Sequence, residues 1–228
     1  MRKIVAIASL IAVMAMPGRA NPPTPEQLKQ IDAICAKTAC RTGGYDVAVG
    51  VDATHFTDVP VSRSPYVTPN DEILIFPGET IAVQFTVTGD TLSAPRFLKQ
   101  YATPKALAMK LDTGSKLVDA PLNASLLPVQ KDGDIDMAGL PPNTLLITYG
   151  QFSDHIGMAM NLDTNLPRRL KMDASLSLIK TGSYQWHYTS TCPLASGRGS
   201  YENWPGALGP MRLSHFRFLS HDAKDTCE

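Results

Sequence analysis

The chain has 228 residues, of which 43% are apolar and 18% charged, with 21 basic side chains against 21 acidic ones. That apolar share supports a buried core and excludes a charge-rich disordered protein, and prolines and glycines scattered without a period exclude collagen-like rods. No basic cluster is dense enough to neutralise phosphates, so nucleic acid is not an expected partner; Arg168-Arg169, directly after Pro167, reads as solvated loop charge.

The N-terminus reads as an export signal. Arg2-Lys3 form a positive start, Ile4 to Met16 is an uncharged apolar run, and Gly18-Arg19-Ala20 places small residues at −3 and −1 of a cleavage site. As a helix that run rises about 20 Å, short of the ~30 Å hydrocarbon core of a bilayer. The expectation is a signal peptide over 1–20 and an exported chain beginning at Asn21, periplasmic or secreted. Removing Arg2, Lys3 and Arg19 leaves 18 basic residues against 21 acidic ones. No later stretch is long and apolar enough to predict a membrane span in the mature chain.

Thr24-Pro25-Glu26-Gln27 is a helix start. Thr24 suits the N-cap, Pro25 the first helical position, and Gln27 completes a capping box. Leu28, Ile31, Ile34 and Cys35 then share one helical face, which predicts a helix from about Pro25 to Ala36. Four cysteines, Cys35, Cys40, Cys192 and Cys227, suit two disulfides in an exported chain, with three connectivities open. Cys35–Cys40 with Cys192–Cys227 is the preferred pairing. Helical residues five apart are separated by about 8 Å, beyond the ~7 Å reach of a disulfide, so the helix must end between Cys35 and Cys40. Zinc is the rival reading, but no C-x-x-C and no nearby histidine supports it.

Beyond Gly43-Gly44 the apolar period changes from 3.6 to 2. Alternation runs through Tyr45 to Val51, Ile81 to Val87, Leu107 to Leu111, Ile156 to Leu162, Leu170 to Leu178 and Tyr184 to Tyr188. Glu72 to Phe76 and Thr144 to Tyr149 are continuously apolar and predict strands buried on both faces. Turn signals separate these runs at Pro77-Gly78, Gly89-Asp90, Asp132-Gly133, Pro141-Pro142-Asn143 and Thr181-Gly182. Residues 53–70, with three prolines, read as a long surface excursion, and residues 94–103 read either way, including as a short helix. The expected fold is all-β: an antiparallel β-sandwich over residues 45–228, preceded by an N-terminal helical segment over 21–44. The pattern resembles the general architecture of immunoglobulin-like or jelly-roll sandwiches.

Chemistry is harder to read. Asp154-His155 with Met158 and Met160 suggests a copper site, but on a strand the methionines share the core face with Ile156 and Leu162 while His155 points the other way. Tyr184, Trp186, Tyr201 and Trp204, the last two beside Glu202 and Asn203, suit a ligand groove of rings and hydrogen-bonding groups, or a large-residue core near Cys192. The loop from Ala195 to Ser200 lacks a phosphate-loop lysine. No nucleophile elbow, no H-E-x-x-H and no cofactor motif occurs, so the sequence favours no reaction type and no catalytic residue. The functional expectation is an exported, non-catalytic β-sandwich that binds a ligand or partner in the cell envelope, either an envelope protein or a saccharide. A carbohydrate-binding module, or a secreted hydrolase or metal-binding protein using Asp154, His155 or His187, is the alternative.

Overall fold

The structure, a computed structural model, describes residues 24–104, 110–112, 117–119, 125–128, 130, 135–152, 156–180 and 183–227. The expected export signal, residues 1–20, lies outside them. In chain order the elements are α1 (Pro25–Cys35), β1 (Cys40–Arg41), β2 (Tyr45–Gly50), β3 (Phe56–Val61), β4 (Ser64–Pro65), β5 (Ile73–Ile75), β6 (Glu79–Gln84), β7 (Val87–Thr88), β8 (Thr91–Leu92) and β9 (Arg96–Tyr101). There follow β10 (Lys110–Asp112), β11 (Leu117–Asp119), a 3-10 turn (Met137–Gly139), β12 (Thr144–Gln151), β13 (Met158–Thr164), β14 (Leu170–Lys180), β15 (Ser183–Thr189), β16 (Gly199–Trp204) and β17 (Leu208–Phe218).

The helix begins as its residues dictate. The Thr24 hydroxyl accepts from the Gln27 backbone N–H, and the Gln27 side chain accepts from the Thr24 N–H. It stops at Cys35, which brings the Cα of Cys40 to 5.5 Å and closes the first disulfide; the second joins Cys192 to Cys227. The apolar stripe of α1 is only partly covered: Leu28 is 46% exposed and no residue of the helix is fully buried.

The strands form an antiparallel sandwich. One sheet has the order β16-β13-β12-β6-β9 and another β15-β14-β17-β5; a third, β11-β10-β2-β3, adds to the same core, and β1-β4 and β7-β8 are small ribbons. Alternation sends Ile81, Val83, Leu145, Ile147, Tyr149, Met158, Met160 and Leu162 inward from the first sheet. Opposite them stand Ile73, Ile75, Leu170, Met172, Ala174, Met211 and Leu213 from the second. Val47, Val49, Val59 and Val61 of the third sheet close the core, and each such buried side chain contributes roughly 1.5–3 kcal/mol. The continuous apolar run of β12 has the predicted cause. Its reverse face packs Leu146, with Ala82, Tyr101 and Leu140, under Leu127, Ile135 and Met137. Buried threonines on that face satisfy one another, from Thr148 through Thr80 and Thr103 to the Gly78 carbonyl.

Two segments differ from expectation. Residues 56–61 are not surface excursion but β3, with Val59 and Val61 buried against β2; Pro60 is tolerated because β3 pairs on one side only. Residues 96–101 are β9, an edge strand whose register against β6 shifts by a bulge between Ala82 and Val83.

A buried ion pair joins the helical entry to the sandwich. Arg41 and Glu79 side chains are 2% and 4% exposed. Arg41 Nε and Nη2 donate to the two Glu79 oxygens at 2.8 and 2.9 Å, and the remaining donors meet Ser64 Oγ, the Pro65 carbonyl and the Leu74 carbonyl. Glu79 also accepts from the Phe76 N–H, and the guanidinium lies over the rings of Tyr66 and Phe76. Tyr45 and Tyr66, close by, have pKa values pushed up to about 12, first by burial and then by the Glu79 charge.

At the other end, residues 219–227 form a strap. Arg169 donates to the carbonyls of Ser220, His221 and Ala223, and buried Lys171 donates to those of Thr191 and Thr226.

Two outcomes are expected. Arg41→Met or Glu79→Gln alone should lower stability by about 3–5 kcal/mol in urea unfolding, because each leaves a buried charge or its carbonyl partners unmatched, while the double variant should lose less than the sum. Since the folded state favours the neutral phenols of Tyr45 and Tyr66, their contribution is complete below pH 10, the ordinary value, and disappears as pH rises toward 12. A spectrophotometric phenolate titration should show these two tyrosines ionising only together with alkaline unfolding in that window.

Candidate functional site

Among the described residues, a cleft lies at the β16 edge of the first sheet. β16 pairs antiparallel with β13, placing Trp204 opposite Met158 and Glu202 opposite Met160 on the core side. Tyr201 and Asn203 therefore point away from the core, opposite Asn161 and Ala159. The Glu202 carboxylate accepts from the Cys192 N–H at 2.8 Å, and the Trp204 indole donates to Thr189 Oγ1 at 3.2 Å, which pins the edge strand to the end of β15.

The opposite wall follows β12. Phe152 donates its N–H to the Gly157 carbonyl, next to Ile156. Gln151 holds this wall to the third sheet. Its side-chain amide accepts from the Gly50 N–H and donates to the Gly50 carbonyl, both at 2.8 Å, and it also donates to the Ile156 carbonyl. Between these walls is a cleft of about 480 Å³ lined by Phe152, Ile156, Gly157, Tyr201, Asn203, Trp204 and Pro205. The Phe152 and Tyr201 rings sit 6.0 Å apart, tilted by 50°, and Tyr201 is 48% exposed. Rings offering apolar area beside one amide can bind a ligand that has both an apolar face and hydrogen-bonding groups.

The four aromatic positions singled out in the sequence divide between two places. Tyr201 and Trp204 line the cleft. Trp186 lies on the second sheet, opposite Ser177, and Tyr184 occupies the position opposite Ile179. Asn203, read from the sequence as a hydrogen-bonding neighbour of these rings, lines the cleft, while Glu202 turns to the Cys192 N–H; the sequence reading missed Phe152.

Asp154 and His155 lie outside the described residues. Met158 and Met160 are fully buried in the core, as their strand face predicts. Among the described residues no group of three or more His, Cys, Asp or Glu side chains is placed to hold a metal. The described histidines are dispersed: His55 meets Asp52, His215 meets Asp173, His221 meets Asp222, and His187 is exposed with no carboxylate partner among the described residues. His215 adopts φ 51° where β17 inserts an extra residue against β14, and this turns its ring onto Asp173, whose other oxygen takes Arg217. Bonds from Arg217 and His215 hold the Asp173 carboxyl below its ordinary value, against the opposing effect of desolvation.

Both disulfides are of a kind that persists in oxidising compartments outside the cytoplasm. No helix among the described residues is long and apolar enough to cross a membrane. No family model, no curated protein and no solved structure matches this chain.

Gln151→Ala should leave both backbone groups of Gly50 without this partner and cost about 1–3 kcal/mol. Hydrogen exchange should then speed up at Gly50 and Phe152 while the β13–β12–β6 amides keep their protection.

Proposed function

We infer that this is an exported, non-catalytic β-sandwich that binds a ligand or partner in the cell envelope, with the Phe152–Tyr201–Asn203–Trp204 cleft as its binding site. One observation carries the reading: a concavity walled by three aromatic side chains and an amide, on a frame closed by two disulfides. The N-terminal leader supports export, to the periplasm or beyond the cell. The carbohydrate-binding reading is the second one. It is favoured by the half-exposed Tyr201 ring directly beside Asn203, since a sugar ring covers an aromatic face while its hydroxyls bond an amide.

The test has two parts. N-terminal sequencing of the protein recovered from its native host should read from Asn21; a chain retaining Met1 in the cytoplasmic fraction overturns export. Calorimetric titration with neutral oligosaccharides, chitotriose and cellotriose, should show binding that Tyr201→Ala weakens by about tenfold, or ~1.4 kcal/mol. Absence of heat with either sugar retires the saccharide reading, and binding untouched by Tyr201→Ala removes the cleft from it.

A further inference from the structure

The second sheet turns Met172, Ala174, Leu176, Met211 and Leu213 into the core, so its alternate residues face away. That outer face carries a cross-strand row, Tyr188 of β15, Ser175 of β14, Arg212 of β17 and Leu74 of β5, with Trp186 and Ser177 as the neighbouring pair; the face is open at Tyr188 and closes toward β5, where Leu74 is buried, and Trp186 packs partly against the core. Tyr188 is 64% exposed. The Arg212 guanidinium stacks over the Trp186 ring, 3.9 Å from its centroid.

Arg212 is half-buried, yet its guanidinium has no hydrogen-bond acceptor among the described residues. Arg41, Arg168, Arg169 and Arg217 each meet a carboxylate. Burial pulls the Arg212 pKa below its ordinary value, and Glu72 opposes this through its charge without bonding to it. Nearby Asp173 is already occupied by His215 and Arg217. A guanidinium placed over an indole without an acceptor keeps N–H donors available, and these form the fork that grips a carboxylate in two-pronged fashion. A second observation falls on the same face. Ser177 is fully buried with its hydroxyl unpartnered, and the buried Trp186 N–H opposite it is unpartnered too. The Ser175 hydroxyl, between Tyr188 and Arg212, likewise has no partner among the described residues.

We propose that this outer face binds an acidic saccharide, with Tyr188 carrying the sugar ring, Ser175 meeting a ring hydroxyl and Arg212 taking the carboxylate. Strand spacing puts the Tyr188 and Arg212 backbones about 10 Å apart, a gap that fits one six-membered sugar ring between them. An acidic peptide suits the face less well. At Ser175 and Arg212 the strands β14 and β17 are paired on both sides, so an added peptide strand could pair only along β15, the margin that carries Tyr188, two strands away from the guanidinium.

The chain has two tryptophans, so Trp204→Phe leaves Trp186 as the sole reporter and removes the cleft's own signal. In that background, with both disulfides formed, trigalacturonate should change Trp186 fluorescence while maltotriose and triglutamate do not. Arg212→Lys, which keeps the charge but loses the fork, should weaken the response by about tenfold, or ~1.4 kcal/mol. Tyr188→Ala should weaken it as well, with circular dichroism confirming that each variant is folded. Silence with trigalacturonate overturns the proposal, as does a response that survives Arg212→Lys unchanged or that triglutamate reproduces. The cleft is read with neutral probes on Tyr201 and this face with a charged probe on Arg212, so each fails without the other.

Discussion

The Arg41–Glu79 pair is the constraint on which the arrangement of the chain depends. A guanidinium removed from water is tolerable only when every donor finds an acceptor, and here the acceptors come from β4, β5 and β6 at once. The adjoining disulfide then fixes α1 to the same point, since Cys40 immediately precedes Arg41. The helical segment is thus attached to the sandwich by covalent and ionic links more than by its own apolar stripe, which explains how α1 can leave Leu28 half in water. The energetic value of the pair lies in the cost of mismatching it, so it acts as a specification of where the entry segment sits.

Much of this architecture is legible in the two-residue period. β2, β6, β12, β13, β14 and β15 all fall on alternating or continuously apolar runs, and the helix cap and disulfide spacing read directly from residue type. The strands that escaped are the ones where another effect hides the period. β3 contains Pro60, a residue that argues against a strand unless the strand is an edge. β9 carries Arg96, Lys99 and Gln100 on a sheet margin, so its polarity matches helix or strand equally. β17 alternates cleanly through Met211 and Leu213, then skips a residue at the His215 bulge before Phe216 and Phe218 return to the core side. Nor does composition reveal which arginine of the chain is buried, because burial of a charge is decided by partners distant in sequence.

The candidate site was half legible for a related reason. Tyr184, Trp186, Tyr201 and Trp204 are close in sequence, but β15 and β16 belong to different sheets, and the segment carrying Cys192 turns the chain between them. Aromatics that read as one groove therefore serve two surfaces. The cleft gains Phe152 from β12's far end, a neighbour that only the β12–β13–β16 pairing supplies. The stacked Arg212 is legible nowhere in the sequence, since its distinction is the acceptor it lacks.

The place of β17 has a kinetic consequence. It is the final strand in chain order, yet it lies inside its sheet, between β14 and β5, and pairs Met211 with Ile75 across most of the chain's length. A polypeptide delivered N-terminus first must hold β5 and β14 without their shared neighbour until that strand arrives. Through that interval both expose unsatisfied backbone to any other extended segment nearby. A chain built this way is most open to mispairing during that interval, and loses most from truncations that remove residues 208–218.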